Sequence, residues 1–117
     1  MDLNQAIDKH AEWKLKFRTA ISKQETMDAE TIAKDNCCQL GIWLHGEAKL
    51  NLSNLQSYIQ CVDKHAAFHV EAGKVAQAVN AKNFVEAEAM LAASTPYSQA
   101  SSAVGVAIMR LKKESGL

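Results

Sequence analysis

The stretch SNLQSYIQCVDKHAAFHVEAGKVAQAV, residues 53–79, decides the fold. Leu55, Ile59, Val62, His65, Ala66, His69, Ala72, Ala76 and Val79 recur at the three- and four-residue spacing of a helix that hides one face. Ser53 with Gln56 three residues on reads as a capping box that opens it. The rest of the chain agrees: one proline and five glycines among 117 residues, with abundant Ala, Leu, Lys, Glu and Gln, predict helices joined by short turns. No segment alternates as a strand would.

Working outward, Asp2 is the expected N-cap of a first helix running to about Ser22, with Leu3, Ala6, Ile7, His10, Trp13, Phe17, Ala20 and Ile21 on one broad apolar face. A polar connection, roughly Lys23 to Glu30, leads to a short helix over Ile32 to His45 that Gly46 ends. Gly41 inside that helix predicts a neighbour packed close to its backbone. Asn83 with Glu86 reads as a capping box for a short helix to about Ala92. Thr95-Pro96 then opens a last helix that packs through Tyr97, Ala100, Val104, Ala107, Ile108 and Leu111. The expected architecture is all-α, a four-helix bundle with an additional short helix, formed by residues 1–117 as one domain.

Thirteen basic residues balance thirteen acidic ones, so no positive field is present to draw nucleic acid or anionic lipid. The apolar runs are broken by charge every few residues and the N-terminus lacks the pattern of a secretory signal, so a cytoplasmic protein without membrane insertion is expected. Three cysteines, Cys37, Cys38 and Cys61, make an odd set that argues against a disulfide framework and leaves metal binding or thiol chemistry open.

His65 and His69 stand one helical turn apart on the stripe that faces the core, the spacing that gives a zinc ion two ligands. A buried imidazole without a partner costs roughly 1 to 3 kcal/mol, so two such rings call for a shared reason. A lone core histidine is usually explained by a bond to a backbone carbonyl or a buried water. That account weakens when His10, in the middle of the first helix's apolar face, makes a third. Cys38 or Cys37 adds a sulfur from the second helical segment, and three histidines with one cysteine suit tetrahedral zinc. Adjacent residues on a helix differ by about 100 degrees, so only one of the two faces the core, and Cys38 shares its face with Ile42. His45 lies roughly 10 Å further along the helix axis and better fits a solvent-facing terminal residue. Cys61 reads as a small apolar core residue, and Trp13, Trp43 and Phe68 as core aromatics rather than a ligand cage.

These residues carry a wider pattern: His10-x-x-Trp13, Cys38-x-Leu40-Gly41-x-Trp43-Leu44-x-Gly46 and His65-x-x-Phe68-His69. It resembles the chemoreceptor zinc-binding (CZB) domain of bacterial chemoreceptors and diguanylate cyclases. The resemblance implies a four-helix bundle that binds one zinc ion through His10, Cys38, His65 and His69. It further implies a cytoplasmic sensory module, often dimeric, that answers to zinc availability or to oxidation of the zinc-bound Cys38 by hypochlorous acid. Its output would be a chemoreceptor or diguanylate cyclase, neither of which lies within these residues. Cys37 falls outside the pattern.

Four protein ligands would close the zinc shell and leave no position for an activated water, so no enzymatic activity is expected. A zinc-bound Cys38 is a thiolate, the form that oxidants attack, which couples metal occupancy to oxidation. The competing expectation is a purely structural zinc that staples a helical dimerisation or interaction module. A histidine phosphotransfer bundle would need an exposed histidine followed by Lys-Gly. A hemerythrin-like di-iron site would need carboxylates where Lys14 and Gly73 stand.

Overall fold

A computed structural model describes residues 1–117. It is an all-α bundle of eight helical segments: α1 Leu3–Ala11, α2 Trp13–Lys23, α3 Ala29–Ile32, α4 Gln39–His45, α5 Glu47–Leu52, α6 Gln56–Asn80, α7 Phe84–Met90 and α8 Pro96–Ser115. The molecule measures 43 × 24 × 19 Å, so its length is set by α6, whose 25 residues rise about 37 Å.

The N-terminal arm follows its sequence signals. Asp2 has extended backbone and its carboxylate accepts the Gln5 N–H, which satisfies one of the free donors of the first turn. The helix is interrupted only at Glu12, which keeps right-handed helical angles, and α2 ends where Gln24 turns left-handed. Leu3, Ala6, His10, Phe17 and Ala20 face inward, with Ile7, Trp13 and Ile21 half-buried beside them. At the other end Thr95 caps α8 by accepting the Ser98 N–H, Pro96 takes its first position, and Tyr97, Val104, Ala107, Ile108 and Leu111 are buried. α6 lies in the middle, covered by α8, α3, α2 and α7, while α1 packs on α8.

The second segment departs from expectation. In place of one helix over Ile32 to His45 there are α3 and α4, separated by a non-helical stretch over residues 33–38, and then α5 after Gly46. Asp28 caps α3 by accepting the Thr31 N–H. Lys34-Asp35-Asn36 then supplies residues whose side chains compete with the helix for backbone groups, and the helix stops. Ile42, placed on the inner face by the continuous-helix reading, is 62% exposed.

Two caps also differ. The long helix begins at Gln56 with Leu55 as its N-cap, and Ser53 belongs to the end of α5. The acceptor role foreseen for a local capping box is met from across the bundle. Glu114 of α8 accepts from both the backbone N–H and the hydroxyl of Ser57. Those two bonds hold the Glu114 carboxyl below the usual carboxylate range. Asn83 precedes α7 without a side-chain cap bond. On α6 itself Ile59 is 52% exposed, and the buried face is carried by Tyr58, Cys61, His65, Phe68, His69, Ala72, Val75, Ala76 and Val79.

Gly41 fulfils the close-approach expectation. A Cβ there would lie 1.8 Å from the carbonyl oxygen of Asp35, so the 33–38 stretch folds back onto the first turn of α4. Gly73 does the same from α6, where a Cβ would meet the Ala33 Cβ at 2.6 Å. Two glycines thus let the backbone ahead of Cys38 settle between α4 and α6.

Candidate metal centre

His10 from α1, His65 and His69 from α6, and Cys38 at the N-cap of α4 turn their ligand atoms to one point, all within 4.8 Å of one another. The His65 and His69 Nε2 atoms are 3.1 Å apart. The Cys38 Sγ lies 3.2 Å from His65 Nε2, 3.6 Å from His69 Nε2 and 4.0 Å from His10 Nε2. A tetrahedral zinc with ordinary bond lengths separates two nitrogens by about 3.3 Å and a nitrogen from a sulfur by about 3.6 Å. The cluster brackets those separations, and His10 is the member that stands back.

The hydrogen bonds behind the rings fix which nitrogen faces inward. His10 Nδ1–H donates to the Ala6 carbonyl at 2.7 Å and His69 Nδ1–H donates to the Ile32 carbonyl at 2.8 Å. A carbonyl only accepts, so both Nδ1 atoms carry hydrogen and both Nε2 atoms of the neutral rings point into the cluster as lone pairs. His65 is fully buried and its Nδ1 has no partner. Three imidazoles and a sulfur converging in the core, without a carboxylate, form a donor set for a borderline-soft cation such as zinc.

The electrostatics favour the coordinating forms of the rings. Burial holds His10 and His69 below the ordinary imidazole range, against the opposing pull of their carbonyl bonds. Burial, followed by the proximity of His69 and His10, takes His65 down to about 3. The Cys38 thiol is pushed up by burial, opposed by the Gly41 N–H, which donates to its Sγ at 3.3 Å. The imidazoles are therefore ready as neutral donors, and a cation has to displace only the thiol proton.

Cys38 reaches this point by a route different from the one its sequence position suggested. It is not in a helix; extended backbone at the N-cap swings its side chain over the first turn of α4. Cys37, in the same stretch, is exposed, and its thiol meets the Asn36 side-chain oxygen at 3.4 Å. His45 stays outside, exposed, with Nε2 2.9 Å from a carboxylate oxygen of Asp35. Cys61 is buried and its thiol is pushed to about 12 by that burial. Phe68 lies fully buried against the cluster, its ring centre 5.3 Å from that of His10, while Trp13 and Trp43 are only half-buried at the core's margin.

The burial is uneven. His65 and His69 are sealed, but a cleft of about 200 Å³ between the N-terminus of α1 and the start of α4 reaches His10 and Cys38, with Lys9 and Lys16 on its rim. Sequence reading did not foresee this opening, because it arises where α1 meets the non-helical stretch.

The sequence profile of the chemoreceptor zinc-binding domain matches residues 10–76, from the first histidine of the cluster to past the last. The chain belongs to the chemoreceptor zinc-binding domain family. Comparison with curated proteins and with solved structures returns no match. In this CZB chain all four clustered residues fall inside the matched region, and α7 and α8 lie beyond it. No helix is long and apolar enough to cross a membrane.

Proposed function

We propose that this CZB domain, taken as residues 1–117, is a sensory module of bacterial signal transduction that holds one zinc ion through His10, Cys38, His65 and His69. The observation that carries the reading is the convergence of three imidazole nitrogens, two of them oriented from behind by carbonyls, on one cysteine sulfur. Bound zinc keeps Cys38 as thiolate. The module responds to zinc availability or to oxidation of Cys38 by hypochlorous acid. It works in the cytoplasm as a homodimer and passes its signal to a chemoreceptor or diguanylate cyclase output. It performs no catalysis, since four protein ligands fill a tetrahedral shell.

Sensing is favoured over a purely structural zinc by the unequal ligand environment. The cleft makes the oxidisable ligand, and not the two sealed histidines of α6, the accessible one. Cys38 is also the N-cap of α4, where departure of its sulfur breaks one bond, from the Gly41 N–H, while its carbonyl can go on accepting from the Ile42 N–H.

Metal content by mass spectrometry of the purified protein, with Cys38→Ser and His69→Ala beside it, is the direct test. One zinc per chain, weakened in both variants, is the expected result. A protein that stays metal-free and resists zinc loading would remove the proposal. Titration of the zinc-loaded protein with hypochlorous acid then separates sensor from staple, because a staple shows no selective Cys38 oxidation ahead of general damage.

A further inference from the structure

Cys37 has no part in the cluster, yet it is placed where the chemistry of Cys38 needs a second thiol. Both cysteines lie in the non-helical stretch between α3 and α4, consecutive in sequence. Cys37 is exposed, and Cys38 is reached from solvent through the cleft beside His10. The third cysteine is not comparable: Cys61 is fully buried inside α6. Of the three thiols, only the adjacent pair combines access with a place outside the body of a helix, Cys38 as the N-cap of α4 and Cys37 just ahead of it.

Resting on the sensory reading above, we infer that Cys37 is the resolving thiol of Cys38, so that oxidation ends in a Cys37–Cys38 disulfide. The Cys38 sulfur attacks the chlorine of hypochlorous acid, forming an S–Cl bond and releasing hydroxide. The Cys37 sulfur then attacks the Cys38 sulfur, the S–S bond forms as chloride leaves, and the Cys37 proton combines with the hydroxide as water. Two electrons pass from the two sulfurs to chlorine. In sum, one thiolate, one thiol and hypochlorous acid give one disulfide, chloride and water. The Cys38 sulfur, once in the disulfide, is no longer a thiolate ligand, and the metal loses its only sulfur donor.

The geometry makes this bond a reversible one. Consecutive Cα atoms are about 3.8 Å apart, shorter than the roughly 4.4 to 6.8 Å of relaxed disulfides, so the ring is strained and readily reduced. Without Cys37, water displaces chloride from the same S–Cl bond to give sulfenic acid. A second hypochlorous acid, releasing chloride, carries that to sulfinic acid, which ordinary thiols do not reverse. Cys37 therefore turns a one-way loss of zinc into a resettable one.

The test oxidises zinc-loaded protein and the Cys37→Ser variant with a small molar excess of hypochlorous acid, enough to carry an unprotected thiol past sulfenic acid, and follows zinc release, intact mass and peptide mapping before and after dithiothreitol. Cys37 is exposed, and equal zinc content before oxidation shows that the variant folds. The wild type is expected to release its zinc with a mass decrease of about 2 Da, two hydrogens, mapped to one peptide holding both cysteines. Zinc binding should return after reduction. In Cys37→Ser, zinc release should persist, oxygen should add to Cys38, and recovery on reduction should be lost. The inference is overturned, with the sensory reading intact, in three cases. They are the loss of two hydrogens in Cys37→Ser, as in a backbone sulfenamide, a disulfide linking two chains or involving Cys61, and equal recovery in both proteins. No selective oxidation of Cys38 in either protein would overturn both.

Discussion

The helix α6 and the segment from α3 to α5 each contribute to the same cluster, and they are built in opposite ways. α6 runs unbroken from Gln56 to Asn80 and sets two imidazoles one turn apart on a buried face, with α2, α3, α4, α7 and α8 packed on the helix. The α3–α5 segment breaks twice, places its one sulfur on an N-cap, and is held by close backbone approaches at Gly41 and Gly73. One half of the site is rigid because a helical ladder and a core fix it. The other half is packed on the core through Ile32, Leu40, Leu44 and Ala48, but its one ligand stands at a helix end instead of within a helix. The sensory reading proposed above uses both: a frame that stays, and a ligand that leaves.

The comparison breaks most sharply at the rigid half. Structural zinc binding of about 10 to 16 kcal/mol shared over four ligands gives roughly 3 kcal/mol to each, so His65→Ala should weaken zinc about 100-fold or more. Competition with a chromophoric chelator checks this, and near-native affinity would place the metal elsewhere. The α3–α5 half is next. A Cβ on Gly41 collides with a backbone carbonyl that cannot swing aside as a side chain does, so Gly41→Ala should destabilise the fold by about 3 kcal/mol in urea unfolding. Gly105→Ala on α8, where the added Cβ meets nothing within 4 Å, is the control and should be neutral or stabilising by up to about 1 kcal/mol.

Acid acts mainly on the buried rings. Unfolded histidines take up protons near pH 6.5, whereas folded His65 resists until about pH 3 and His10 and His69 are also held low. Between those limits the unfolded chain binds more protons, so stability of the metal-free protein falls as pH drops below 6.5. His65 alone contributes a loss of about 2 kcal/mol between pH 7 and pH 5. Flat stability over that window would show that the rings are not sealed. The smallest effect belongs to the exposed His45–Asp35 pair. His45→Gln should change stability by no more than about 0.5 kcal/mol and leave zinc affinity within about threefold, which limits what holds the Cys38 stretch to the backbone contacts.

The same division governs what could be read in advance. Along α6 the period of the apolar residues is long and regular, so its helix and the inward aim of His65 and His69 were legible, although Ile59 turned outward and Ser53 capped nothing. Between Asp28 and Leu52 no regular period exists. Reading Ile32 to His45 as one helix gave the right cysteine for a wrong reason: Cys38 faces the cluster through N-cap geometry, and Ile42, its supposed companion, faces solvent. Asp28 three residues before Thr31 and the turn-forming Asp35-Asn36 were the local signals of the break. The Ser57–Glu114 bonds and the cleft are long-range products of packing, and no local pattern encodes them.

The lone Nδ1 of His65 sets that ring apart from the other two. His10 and His69 must each break a carbonyl bond before their rings turn, whereas the ring of His65 is held in place by packing alone. Of the three imidazoles, His65 is therefore the one whose aim at the metal is set by the fit of the surrounding side chains rather than by a bond to the backbone.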